Sequence, residues 1–324
     1  MPDAAKETKD KTPNLEVVGH EQGGSKLKET IPPHTASIHA GPSKTLPTDF
    51  VSLALKLQDS LGLPLLLLLQ NGGTDYDTID YEVVEAFLSQ PDALPKTPVA
   101  LLIDSPGGVA KWAYQLAMIL RRHCGGFTAV VPRYAKSAAT LLTLGADKIV
   151  LGRDAELGPL DAQLIDPERE EPLSALDEVQ ALERLHAFAM SAVDESMLLL
   201  MGRTRKKIET LLPAVMHFVA EEMRPLFEKI DAVHYTQMSR IAKEAEEYAI
   251  RLLKAKHSQT IAEDIARRLV NKYPNHGYWI DPEEAAQVGF QIEKTADDRM
   301  ELLDAMRCRV GSISAIGSLR EMKK

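Results

Sequence analysis

Between residues 98 and 163 the chain reads PVALLIDSPGGVAKWAYQLAMILRRHCGGFTAVVPRYAKSAATLLTLGADKIVLGRDAELGPLDAQ, a stretch that few folds accept. Val99–Ile103 is a short apolar run of the kind that forms a strand buried on both faces. It stops at Asp104-Ser105-Pro106-Gly107-Gly108, a turn that no regular element could contain. Trp112, Gln115, Leu116, Ile119 and Leu120 then recur at helical spacing, so the glycine pair lies where a strand hands over to a helix. Backbone N–H groups left free at such a handover suit an anion or a developing oxyanion. Phe127–Val131 is a second β-rich run, followed by Lys136-Ser137-Ala138-Ala139-Thr140, which puts Ser137 near the first turn of a helix of small residues. Lys148–Leu151 is a third strand, and Leu157-Gly158-Pro159-Leu160-Asp161 turns the chain again.

Taken singly, a Pro-Gly-Gly turn is only a turn and a serine opening a helix is only an N-cap. Together, at this spacing, they put backbone donors and a hydroxyl at the ends of neighbouring strands. The rest of the chain extends the pattern. Phe50, Leu53 and Leu57 make an amphipathic helix, Leu65–Leu69 a buried strand, and Tyr81–Leu88 another helix. Such alternation argues for βαβ units and a mostly parallel sheet.

The flanks are of different character. Residues 1–48, rich in Lys, Glu, Thr, Pro and Gly, bury too little apolar surface to offset chain entropy, so they are expected to be disordered. Gly19–Lys26 and Gly41-Pro42-Ser43-Lys44-Thr45 lack the full phosphate-loop pattern and follow no strand. Residues 172–257 carry long 3.6-residue periodicities, for instance Met238, Ile241, Ala245, Tyr248 and Leu252, and are expected as an all-helical insertion between a first core part, 49–171, and a closing helix-strand-helix at 258–295. Residues 296–324 read as a charged tail.

Charge and composition exclude several classes. A net charge of -9 argues against general nucleic-acid binding. Cys124 and Cys308 form neither a disulfide framework nor a zinc spacing, and suit a reducing compartment. No apolar run reaches the roughly 18–20 residues of a membrane span, and the charged N-terminus is unlike a signal peptide. The expectation is a cytoplasmic protein with no metal, no cofactor and no nucleic-acid partner.

The order D-S-P-G-G, then S-A-A-T-L-L-T-L-G-A-D-K-I-V-L-G, then L-G-P-L-D-A-Q resembles the serine dehydrogenase proteinase family. These proteins are relatives of signal peptide peptidase A and of the Clp protease proteolytic subunit, and the likeness runs from about Asp49 to about Lys294. It implies an α/β, Clp/crotonase-like superhelix of ββα units. It also implies Ser137 as nucleophile, the N–H groups of Gly107 and Ala138 as oxyanion donors, and Gly108 keeping the wall beside them bare. The substrate implied is a peptide or unfolded protein held extended beside a strand, and the assembly a homo-oligomer.

The base does not transfer by spacing. Leu157-Gly158-Pro159-Leu160 stands where the Clp subunit has its histidine, and no lysine lies between Lys148 and Lys206 where a dyad lysine would fall. His276, near the place of the Clp-type acid, is the expected base; Lys136 is the alternative, followed by Lys206 or Lys207. The expected function is a soluble serine peptidase working through an acyl-enzyme. The alternatives are a catalytically inactive Clp-fold scaffold that binds peptides or partner proteins, and a crotonase-type acyl-CoA enzyme.

Overall fold

A computed structural model describes residues 34–38, 45–72, 76–89, 94–160, 163–164 and 173–321. The expectation of disorder for residues 1–33 and 39–44, and both phosphate-loop near-misses, lie outside these residues.

In chain order the elements are β1 (His34–Ile38), α1 (Thr48–Leu61), β2 (Leu65–Leu69), α2 (Tyr81–Leu88), β3 (Val99–Asp104), α3 (Ala110–Cys124), β4 (Phe127–Val131), β5 (Tyr134–Ala135), α4 (Ala138–Leu144) and β6 (Lys148–Leu151). There follow β7 (Glu156–Leu157), β8 (Gln163–Leu164), β9 (Leu173–Ser174), α5 (Ala175–Thr204), α6 (Ile208–Phe227) and α7 (Ala232–Leu253). Last come α8 (Gln259–Asn271), α9 (Pro282–Val288), α10 (Asp297–Val310) and β10 (Ala315–Glu321).

The main sheet runs β1-β10-β2-β3-β4-β6. Its four strands β2, β3, β4 and β6 are parallel, and their largely apolar runs suit strands covered on both faces. Side chains alternate between two layers. Leu66, Leu68, Leu101, Ile103, Phe127 and Ala129 face a core closed by α2, α3, α4, α7 and α8. Leu65, Leu67, Leu69, Ala100, Leu102 and Val130 face a second core under α1 and α10. Beyond the C-terminal ends of the strands a small second layer forms. Ser105 bridges Ala135, β5 pairs with β7, and Leu157 bridges Ile280.

Two expectations are corrected here. Residues 296–321 are not a tail: α10 buries Leu303, Met306 and Val310, and β10 joins the sheet antiparallel to β2. Three apolar residues at i, i+3 and i+7 suffice to seat a helix whose other positions are charged, and that sparse stripe is easy to miss. Disorder does not extend through 48 either, because His34–Ile38 pairs with β10 and α1 begins at Thr48.

Of the helices in 172–257, α5 and α6 pack on one another through Met197, Leu211, Val215, Val219 and Met223. α7 packs on α3 and α4 and sends Ala249, Ile250, Leu252 and Leu253 into the first core. Just past it, Lys256 donates to the carbonyls of Leu144 and Ala146 at the end of α4, and burial lowers its pKa to about 8.

Candidate active site

Ser137 stands between β5 and α4 with φ 50° and ψ -120°, a left-handed backbone that only one other described non-glycine residue, Arg205, shares. Such a conformation costs on the order of 1–3 kcal/mol and persists only where surroundings hold it. Here they do. Lys136 N–H donates to Ser105 O at 3.0 Å, Ala139 N–H to Lys136 O at 2.9 Å, and Leu141 N–H to Ser137 O at 3.1 Å. Thr140 Oγ1 donates to Ala135 O at 2.6 Å and accepts Gly158 N–H at 3.0 Å, tying α4 to the second layer.

The glycine strand lies against this elbow. Gly107, at φ +108°, comes so close that a Cβ on it would stand 2.5 Å from Lys136 O and 2.8 Å from Ser137 Cβ. Ile79 N–H donates to Gly107 O at 2.7 Å and Val109 N–H donates to Ile79 O at 2.9 Å, so Ile79 pairs with one edge of residues 107–109. Because amides alternate along an extended chain, the N–H of Gly108 points to the other edge. Among the described residues no acceptor takes up the N–H of Gly108 or of Ala138.

Gly107 N–H is engaged. It donates to Ser105 Oγ at 3.1 Å, and that hydroxyl donates to Gln70 Oε1 at 2.5 Å. Gln70 in turn donates through Nε2 to Tyr76 O at 2.8 Å. Ser105 and Gln70 are both buried, so this relay fixes the glycine strand from behind. Ser105→Ala is therefore expected to leave Gln70 Oε1 and Gly107 N–H without the partner that Ser105 Oγ gives them, and to cost about 1–3 kcal/mol of stability. It should also lower activity at the site about tenfold through kcat, with KM little changed; an unaltered kcat would show that the relay does not set the strand's position.

A second lock lies one residue earlier. Arg133 Nε and Nη2 reach both oxygens of fully buried Asp104, at 2.8 and 2.6 Å. Burial opposes the charge of Arg133, but the hydrogen bonds and charge of Asp104 outweigh it and hold the guanidinium above its usual pKa. Arg133 also donates to Asn71 Oδ1, and Asn71 Nδ2 donates to Val310 O and Ile313 O at 2.7 Å each. The ends of β2, β3, β4 and α10 are thereby joined directly beneath the glycine strand.

Ser137, Ala138 and Gly108 open together into a cavity of about 230 Å³. Val109, Leu141, Leu160, Ile241 and Ala245 give it apolar walls, while Lys111 and Glu244 supply its charged groups. The other expected site residues lie elsewhere. Lys136 Nζ makes three polar contacts away from it, to Leu157 O at 3.2 Å, Tyr278 O at 3.3 Å and Glu156 Oε2 at 3.1 Å. It staples β7 to the closing segment. His276, in the connection between α8 and α9, does not line the cavity, and neither do Lys206 and Lys207 beside the exposed start of α6. Gly107 supports the strand rather than lining the cavity.

Sequence reasoning missed Gln70, Ser105, Lys111 and Glu244. The alternating amides of the Ser-Pro-Gly-Gly run could have separated the roles of its two glycines, but nothing local marks Glu244. Among the described residues no cluster of His, Cys, Asp and Glu could hold a metal ion, and no helix is long and apolar enough to cross a membrane.

Two uncharacterized proteins of Methanocaldococcus jannaschii are similar to this chain. One is 27% identical over 226 residues, covering 69% of this chain and 64% of the relative; the other is 25% identical over 224 residues, covering 69% and 61%. The chain thus spans a little under two thirds of the length of these curated relatives. Among solved structures, a membrane-bound stomatin-specific protease matches at 12% identity and TM-score 0.39, covering 69% of this chain and 79% of that one. A peptidase from Plasmodium falciparum matches at 10% identity and TM-score 0.38, covering 75% and 98%. The family model for ClpP-like SDH-type serine proteinases matches residues 74–237, half of the chain, and that span holds the glycine strand, the elbow serine and the β5–β7 layer behind them. By that match this chain belongs to the ClpP-like SDH-type serine proteinases.

Proposed function

We propose that the protein is a serine peptidase that cleaves peptide bonds through an acyl-enzyme on Ser137, with Gly108 N–H and Ala138 N–H as the oxyanion donors. The observation that carries the reading is the convergence of the strained elbow serine and two uncommitted backbone N–H groups on one cavity. Ser137 Oγ attacks the scissile carbonyl carbon, the carbonyl oxygen becomes an oxyanion between the two N–H groups, and the amine departs with a proton. Water then hydrolyses the ester. Donors held in place before the reaction stabilise the developing charge without reorganisation. Gly107 holds the strand against the elbow, the role its crowded Cα supports.

The attack needs an acceptor for the serine proton within about 3 Å, directly or through one water. Among the described residues two titratable side chains, Lys111 and Glu244, line the cavity. Lys111 Nζ lies over the Trp112 ring, 4.3 Å from its centre. The carboxylate of Glu244, which lines the cavity and is hydrogen-bonded to the Tyr248 side chain, is the acceptor we propose. Glu244→Gln is expected to lower kcat for a cleavable peptide at least tenfold, while His276→Gln and Lys206→Met stay within twofold of wild type. The reverse order would return the role to His276.

A scaffold that binds peptides in the same cavity without cleaving them is the second reading, favoured by the absence of histidine from the described lining. It predicts peptide binding with no turnover and no effect of Ser137→Ala on affinity. A homo-oligomer is part of the proposal as well, supported by the apolar side chains Phe188, Leu198, Leu199, Ile208 and Phe218 that the α5–α6 pair leaves exposed. Sedimentation at micromolar concentration should show more than one copy per particle; a fully active monomer would contradict this.

A further inference from the structure

Behind the Ser137 cavity, on the outer face of α3, lies a larger groove of about 440 Å³. The two share one residue, Lys111, which lines both. The far end of the groove is formed by Arg122 and His123 at the last turn of α3. Its floor is aromatic: Tyr114 of α3 and Tyr248 of α7 stack with ring centres 4.6 Å apart and planes within 15°. None of the residues that line it is a carboxylate, and among the described residues Lys111, Arg122 and His123 enter no ion pair. Glu244, hydrogen-bonded to Tyr248, lines the Ser137 cavity and not the groove.

Lys111 and Arg122 thus stand along one groove without an acidic partner among the described residues, in a chain of net charge -9. They raise the local concentration of negatively charged ligands and favour complementary charge. The dimensions fit a peptide. Lys111 and Arg122 are three helical turns apart, roughly 16 Å along the axis, which an extended chain at about 3.3 Å per residue covers in about five residues. The stacked tyrosines offer a face to an aromatic or aliphatic side chain on the way.

We propose that this groove docks an acidic stretch of the substrate, which enters the Ser137 cavity past Lys111. The inference rests on the peptidase reading for what happens at Ser137, but docking is measurable without turnover. Fluorescein-labelled peptides that share one Leu-rich core are compared, carrying either a Glu-Glu-Tyr-Glu or a Gln-Gln-Tyr-Gln extension, placed at the N-terminal end in one pair and at the C-terminal end in another. Affinity is read by fluorescence anisotropy on the full-length Ser137→Ala protein.

In one of the two pairs the Glu peptide is expected to bind about tenfold tighter than the Gln peptide at low salt, with the advantage shrinking as salt screens it. Adding Arg122→Glu should remove the advantage and leave the Gln peptide's affinity unchanged. Equal affinities in both pairs, no binding of any peptide, or an advantage that survives Arg122→Glu would each overturn the proposal. A Glu advantage in a protein that hydrolyses nothing would sustain the docking site while refuting the peptidase reading.

Discussion

Ser137→Ala is expected to abolish measurable peptide hydrolysis, lowering kcat about a millionfold, the scale seen when a serine nucleophile is removed. The loss should fall on kcat, because the cavity walls, the two N–H donors and the glycine strand remain. Folding should be little affected. Ser137 Oγ caps no helical N–H, and the elbow is held by backbone bonds from Lys136, Ala139 and Leu141 that an alanine keeps. A variant that retains more than a tenth of wild-type kcat would place the nucleophile elsewhere.

The largest effect on stability is expected from Arg133→Met. Asp104 is fully buried and both of its oxygens are bound by this one guanidinium. Removing the arginine leaves an uncompensated carboxylate in the core, a change that typically costs about 3–5 kcal/mol. A denaturant titration should show the midpoint falling without a change in slope. Activity should fall too, since Asp104 precedes Ser105 and the relay that holds Gly107. A loss below about 1 kcal/mol would mean that the ion pair contributes little and that the strand ends are held by other contacts.

The parallel core of this fold was legible because its signals are local. The runs at 65–69, 99–103 and 127–131 are apolar but for Thr128, as suits strands covered on both sides, and each is followed by a turn and a helical stripe. The place of Ser137 at the start of α4 was legible for the same reason. What escaped depends on contacts distant in sequence. β10 has a glycine and an arginine in a short run and becomes a strand because it pairs with β2 on one side and β1 on the other. Glu244 is one of many carboxylates on amphipathic helices, set apart only by the docking of α7 over α4.

The two glycines of the turn were not told apart by sequence for a related reason. Sequence shows that two unhindered amides are present, while the hydrogen bond from Gly107 to Ser105 and the pairing of Ile79 decide which of them faces the cavity. Lys136 sits beside the serine in sequence, yet its neighbour's left-handed backbone and the carbonyls of Leu157 and Tyr278 draw it to the other side. Adjacency along the chain was a poor guide to adjacency in the site.

The central claim is that Ser137 is an activated nucleophile beside an oxyanion hole, and covalent labelling with a fluorophosphonate followed by peptide mapping tests it most directly. The phosphonyl group should be found on Ser137 in the folded wild-type protein, be absent after denaturation before labelling, and be lost in Ser137→Ala without appearing on another residue. Its rate should drop in Ser105→Ala, where the glycine strand loses its support. A wild-type protein that binds peptides but never acquires the label on Ser137 would contradict the account.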